Sequence, residues 1–196
     1  TAVSPVDGRY HSSTSSLHEY FSEYALIKYR LKVEVEYFIF LGEKKFFPIT
    51  VKTKNALKKL ADEFTEADAL KVKLTESVTN HDVKAVEYFL KKALETMGEG
   101  ALKEWVHFGL TSQDVNNTAI PMLWKDAVEQ QYLPDLLNLQ QHLYKLARQW
   151  ESVPMLSHTH GQAASPTRLG KELMVFVERI ENQVQLFSYI PFMGKF

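Results

Sequence analysis

Between Ser16 and Gly42 apolar residues recur at three- and four-residue steps: Leu17, Tyr20, Phe21, Tyr24, Ile27, Leu31, Val35, Phe38 and Leu41. That is the period of an α-helix, and a stripe this long has to be buried against other elements. Ser16 and Glu19 offer a capping box at its start, and Gly42 an end. The same period returns along the chain. Lys54 to Phe64 reads as a second helix, Thr65 and Asp68 cap a third that runs through Leu74, and Val83, Val86, Leu90, Leu94 and Met97 form a fourth, closed by Gly98 and Gly100. A short helix over 101–108 precedes a long helical region marked by Val115, Ala119, Met122, Leu136, Leu143, Ala147 and Trp150, with a bend expected at Pro134. Ser165-Pro166 then reads as the opening of a last helix, Leu169 to Phe187, that runs to Pro191.

Residues 1–14 read as a turn-rich arm, KKFFPITV around Pro48 as a loop with at most one short strand, and PMLSHTHGQAASPT as a loop. No segment alternates as a half-buried strand would, so the expected fold is all-α, a helical bundle. The best domain boundary is the Gly109–Thr111 junction, where short helices give way to long ones. This makes 1–110 an N-terminal helical domain and 111–196 the start of a central long-helix bundle.

Composition removes several chemistries. The 196 residues contain no Cys, which excludes disulfides, thiolate nucleophiles, iron–sulfur clusters and Cys-based zinc sites. With 23 Lys and Arg against 24 Asp and Glu, no basic field recommends a nucleic acid or an anionic membrane as partner. No apolar run approaches the roughly 18–20 residues of a membrane helix, and TAVSPVDGRY has no signal-peptide pattern, so a cytoplasmic protein is expected. The chain starts without Met and closes on SYIPFMGKF, and it reads as part of something longer.

Three polar segments interrupt the helical pattern: Thr79-Asn80-His81-Asp82, Thr111-Ser112-Gln113-Asp114 with Asn116 and Asn117, and Ser157-His158-Thr159-His160-Gly161-Gln162. Helix capping alone accounts for Ser, Thr, Asp and Asn at such places. Two His around a Thr are required by no cap, and His160 and His81 are the leading acid/base candidates at neutral pH. His158, His160, His81 and Asp82 offer a nitrogen and oxygen set to a metal, but not at metalloprotease spacing, so no metal is expected. A serine hydrolase lacks its Gly-flanked serine after a strand. Arg9 and Tyr10, beside the Asp7-Gly8 turn, suit phosphate or carboxylate recognition, with a plain surface turn as the alternative.

Four ordered motifs, SPVDGRY at 4–10, TNHDVKAVEYFL at 79–90, FGLTSQDVNNTA at 108–119 and SHTHGQAASPTRLGKEL from Ser157, resemble the adenylosuccinate lyase branch of the aspartase/fumarase superfamily, in its bacterial form. Val6 stands where that family usually has Leu, and Ala163-Ala164-Ser165 where Pro-Ala-Thr is more familiar. The resemblance implies an L-aspartase/fumarase-like all-α fold. It also implies β-elimination of fumarate from adenylosuccinate to give AMP, and from the succinyl-carboxamide ribotide of purine synthesis, without a cofactor. By analogy His160 is the general acid on the departing nitrogen and His81 assists it. Arg9 and Tyr10 would hold the phosphate, and Thr111 and Ser112 a succinyl carboxylate, with Asn80, Asp82, Thr159 and Gln162 as further substrate-binding residues. The family's base, a serine on a mobile loop with a Ser-Ser, Met-Pro, Lys and Asn pattern, has no counterpart before Phe196, so these residues alone are expected to be inactive. The family also implies a homotetramer with sites shared between subunits. Another fumarate-releasing lyase, such as argininosuccinate lyase or fumarase, and a non-catalytic helical interaction protein are the alternatives.

Overall fold

The computed structural model describes residues 4–195, so Thr1 to Val3 of the N-terminal arm lie outside the described residues. Those residues form eight α-helices, several short 3-10 turns and one β-hairpin, in two compact units: 4–127 with 192–195, and Val128–Pro191. The Gly109–Thr111 junction lies inside the first unit.

In the first unit the apolar stripe that begins near Ser16 is not one helix. A 3-10 turn over Ser15–Leu17 and a short α1, His18–Phe21, end at Ser22, and α2 runs from Glu23–Glu43. Ser22 causes the break: its extended backbone lets its hydroxyl accept the Ala25 N–H at 3.1 Å and donate to His18 O at 2.6 Å, closing one helix and opening the next. Ser22, not Ser16, is thus the cap. α2 buries residues on all sides, and such a helix belongs in the centre of a unit. One flank of α2 packs Leu31, Val35 and Phe38 against Leu57 of α3 (Val51–Asp62), Val72 of α4 (Glu66–Thr79) and Val86, Leu90 and Leu94 of α5 (Asp82–Thr96). The other packs Tyr29 and Val33 against Val83 of α5 and Val115, Ala119 and Leu123 of α6 (Ser112–Ala127).

Helix α3 starts at Val51, ahead of the expected Lys54, because Thr50 caps it by accepting the Thr53 N–H at 3.1 Å. The Thr65–Asp68 capping box of α4 is present as read from sequence. The segment after α5 is a 3-10 turn, Gly100–Trp105, not an α-helix over 101–108. Pro121 lies inside α6.

The second unit opens with a π-helical turn, Val128–Tyr132, followed by α7, Leu133–Gln149, with Pro134 in its first turn. The irregularity expected at Pro134 is therefore the π turn just before it, since a proline near a helix start removes no needed donor. The segment read as a loop is a hairpin: β1, Pro154–Thr159, pairs antiparallel with β2, Gln162–Arg168, from Pro154↔Arg168 to Thr159↔Gln162. Ser165 and Pro166 lie in β2, and the final helix, α8, starts only at Leu169 and runs to Phe187. α8 packs on α7 at Gly170, where any Cβ would overlap the Ala147 carbonyl oxygen and lie 2.7 Å from Glu151 Cα. Among the described residues no helix is long and apolar enough to cross a membrane.

Two phenylalanines of α2 test this core. Phe38 is fully buried and Phe40 is 48% exposed. In the full-length polypeptide carrying this sequence, Phe38→Ala is expected to cost about 3–5 kcal/mol in urea unfolding followed by circular dichroism, and Phe40→Ala less than about 1 kcal/mol. Equal losses would contradict the packing.

Candidate active site

In the first unit the N-termini of α5 and α6 meet at a cavity of about 590 Å³ lined by Thr79, His81, Lys84, Glu87, Tyr88, His107, Thr111 and Ser112. α4 ends on Asn80 in the left-handed conformation (φ 52°), and His81 then turns extended to become the N-cap of α5. Its Nδ1 accepts the Lys84 N–H at 3.2 Å, a role in which an imidazole replaces the usual Ser or Asp oxygen. A ring nitrogen that accepts a backbone N–H carries no proton, so neutral His81 bears its proton on Nε2. Nε2 lies 3.3 Å from Ser112 Oγ, at the first residue of α6. Thr111, beside it, donates both its N–H (2.7 Å) and its hydroxyl (3.0 Å) to Asp114, and so brings a carboxylate to the first turn of α6. The positive ends of two helix dipoles, a His N–H and a serine hydroxyl make a cavity suited to a carboxylate or other anion.

Behind the cavity, α2 holds these segments through side chains on one face, at Arg30, Glu34 and Tyr37. Arg30, 7% exposed, donates from Nε to Asn116 Oδ1 at 2.8 Å and pairs through Nη2 with Asp82 Oδ2 at 2.7 Å, tying α5 to α6. Burial pushes the Asp82 carboxyl up, but the Val83 N–H and Arg30 outweigh it and hold the group below its ordinary range. Glu34, fully buried, meets His107 Nδ1 at 2.5 Å. That bond raises the His107 pKa above its ordinary value despite partial burial. Tyr37 donates to Phe108 O at 3.0 Å. His107 has φ 61°, a left-handed backbone that costs a non-glycine residue roughly 1–3 kcal/mol and persists only where surroundings impose it. On α5, Glu87 is 3% exposed and held by Lys84 (2.8 Å) and Lys91 (2.9 Å).

Of the residues singled out from sequence, His81, Thr111 and Ser112 come together at this cavity, with Asn80 and Asp82 flanking His81. Asp82 is engaged with Arg30. Arg9 and Tyr10 lie in exposed turns, with the guanidinium stacked 5.6 Å from the phenol ring, and they are not in the cavity wall. Arg30, Glu34, Lys84, Glu87 and His107 were not singled out. The available signal was Arg30 and Glu34 at i, i+4 within an apolar stripe, where charges have no business unless paired.

In the second unit Thr159, His160 and Gln162 lie at the hairpin tip, all exposed. His160 (φ 53°) and Gly161 (φ 74°) are its two turn residues, both left-handed as a type I′ turn requires. His158 pairs with Ala163 one step down, and a bulge separates this end from Leu156↔Pro166, with Ser157 opposite both Ala164 and Ser165. The hairpin thus presents the His160 ring at a tight, defined turn. Among the described residues no three His, Asp or Glu side chains converge as a metal ion would need.

The fold itself is that of a known class of helical enzymes. The chain superposes on a fumarate lyase from Mesorhizobium sp. BNC1 with TM-score 0.72 at 18% identity, over 89% of this chain and 39% of that one. It superposes on a 3-carboxy-cis,cis-muconate lactonizing enzyme from Pseudomonas putida with TM-score 0.67 at 20% identity, with the same coverage. A family profile described as Lyase matches residues 8–191, and the chain belongs to that family. It is 50% identical over 205 residues to an adenylosuccinate lyase of Dictyostelium discoideum and 42% identical over 200 residues to one of Vibrio cholerae. Both alignments cover all of this chain and 44% of the relative, so the chain spans less than half the length of these curated relatives.

The Asp82–Arg30 pair gives a pH test of the scaffold. A carboxyl held below its unfolded value of about 3.9 contributes stability above that pH and loses it as pH falls through the folded value. Asp82→Asn in the full-length polypeptide is expected to cost about 1 kcal/mol at pH 7, because the carboxylate is half-exposed and screened by solvent, and less at about pH 3. Urea unfolding at both pH values measures it, and a gap constant with pH would refute the pair.

Proposed function

We propose that the polypeptide carrying this chain is an adenylosuccinate lyase: it eliminates fumarate from adenylosuccinate to give AMP, and from the succinyl-carboxamide ribotide in the parallel reaction. The observation that carries this reading is the meeting of two helix N-termini, with the His81 Nε2–H set against the Ser112 hydroxyl, in a chain 40–50% identical to enzymes of that name. The substrate's succinyl group has two carboxylates, and removal of its carbon proton builds further negative charge on one of them. Preorganised N–H and O–H donors are what stabilises such charge. In this reading Thr111 and Ser112 bind a succinyl carboxylate, and His81 Nε2–H donates to the substrate beside them. Arg9 and Tyr10 bind the phosphate, and Asn80, Asp82, Thr159 and Gln162 shape the rest of the site.

The elimination balances as one proton off carbon, one C–N bond broken and one proton onto the leaving nitrogen. His160 supplies the last proton as general acid, and its place at an exposed hairpin tip leaves the ring free to reach a substrate held elsewhere. The base lies in the part of the polypeptide that relatives carry beyond these residues. No cofactor enters the reaction. Residues 1–110 would form an N-terminal domain and 111–196 the start of the central bundle of a homotetramer, with each site assembled from several subunits. The exposed apolar residues of α7 and α8, among them Leu137, Leu139, Tyr144, Phe176 and Leu186, support such packing. A cytoplasmic location goes with a phosphorylated substrate that membranes retain.

Assay of the full-length polypeptide decides it. Fumarate release from adenylosuccinate should exceed that from argininosuccinate or malate, and His160→Gln should lower kcat about 10²–10⁴-fold with unchanged circular dichroism. Near-normal turnover by that variant would end the general-acid role.

A further inference from the structure

Glu34 and Arg30 are the two charged residues among those α2 buries, and Glu34 is fully enclosed. One of its carboxylate oxygens meets His107, while Oε2 has no hydrogen-bond partner among the described residues. A buried carboxylate satisfied on one side only is poorly suited to stabilising a fold, because its desolvation outweighs a single partner. Its consequence is local. His107 belongs to the segment that follows the 3-10 turn and leads into Ser112, and both His107 (φ 61°) and Gly109 (φ 72°) are left-handed there. Tyr37, nearly a turn further along α2, holds the next carbonyl, Phe108 O. Two side chains of α2 therefore fix a tight segment whose far end carries Thr111 and Ser112 to His81.

We infer that Glu34 is a positioning residue for substrate binding: through His107 it sets the 106–112 segment so that Ser112 Oγ stays within reach of His81 Nε2 across the cavity. It touches no substrate and acts only through His107. The inference rests on the elimination reading above. The charged and titratable groups facing His107 are Glu34 from α2 and Glu87 and Lys84 from α5, with His81 in the same cavity wall. Because Glu34 raises the His107 pKa, the charged pair is intact below about pH 6.5 and is lost as pH rises through the raised value.

The test is a cycle of Glu34→Gln, His107→Asn and the double variant in the full-length polypeptide, assayed with adenylosuccinate across pH. Glu34→Gln is expected to raise KM about tenfold while kcat stays within about threefold and the melting temperature within a few degrees; His107→Asn, which also removes a ring from the cavity wall, is expected to raise KM at least as much. The double variant should raise KM no more than the worse single variant, because the pair acts as a unit. In the unsubstituted protein KM should rise with pH as His107 loses its proton, and Glu34→Gln should move that rise to lower pH. An unchanged KM in folded Glu34→Gln, or single effects that multiply in the double variant, would overturn the inference and leave the functional reading standing. Should a single variant fail to fold, the uncharged double variant decides: raised KM without the pH rise supports the inference, and unsubstituted KM with the rise intact refutes it. No fumarate release by the unsubstituted protein removes the functional reading and this inference with it.

Discussion

Two charges of opposite sign, Arg30 and Glu34, sit one turn apart in the most deeply buried helix, and the polar geometry of the cavity hangs on them. Water is excluded from both, so each must find its compensation inside the protein. Arg30 finds it in Asp82 and Asn116, one residue from each of two sequence motifs. Glu34 finds it in His107, at the approach to the second motif. Segments separated by some thirty residues of chain thereby share one reference frame, the face of α2, and His81 meets Ser112 because both hang from it.

This arrangement also explains why α2 carries two cores. Its flank toward α3, α4 and α5 is aliphatic and aromatic, with the Phe38 and Phe47 rings tilted against each other at 4.7 Å between centroids. Its flank toward α6 is smaller, built around Val33, Val83, Val115 and Ala119. The α5 and α6 helices straddle the polar face between, and the short side chains of the second cluster let them come close enough for their N-termini to share one cavity.

Helix existence was legible in the sequence because a 3.6-residue period is a strong signal over four or more turns, and the Thr65–Asp68 box and the 79–82 break fell where the periodicity placed them. What failed had physical reasons. Ser22 ends one helix and starts another without disturbing the apolar spacing, so the pattern reads straight through it. The hairpin was hidden because PMLSHT and QAASPTR carry two prolines, no valine or isoleucine and no alternation; two strands with no further partner do not need the patterning of a buried sheet. His81, Thr111, Ser112 and His160 were legible as polar interruptions. Glu34 and His107 were not, since a buried ion pair between residues 73 apart leaves no mark at either position except a charge in an apolar stripe.

The two histidines at the centre of the proposed chemistry are held in opposite ways, and this separates their roles. His81 is fixed twice, by the Lys84 N–H on one ring nitrogen and by Ser112 on the other, so its tautomer and orientation are properties of the helix start itself. A group so held serves as a donor of fixed direction, which is what binding and orienting an anionic substrate asks for. His160 stands in a two-residue turn, exposed, with the left-handed backbone supplied by the turn and not by any side-chain partner. A ring with no side-chain partner among the described residues is free to turn toward a substrate, as the proposed general acid must. The proposed division of labour matches the two positions: His81 caps a helix and His160 tips a hairpin.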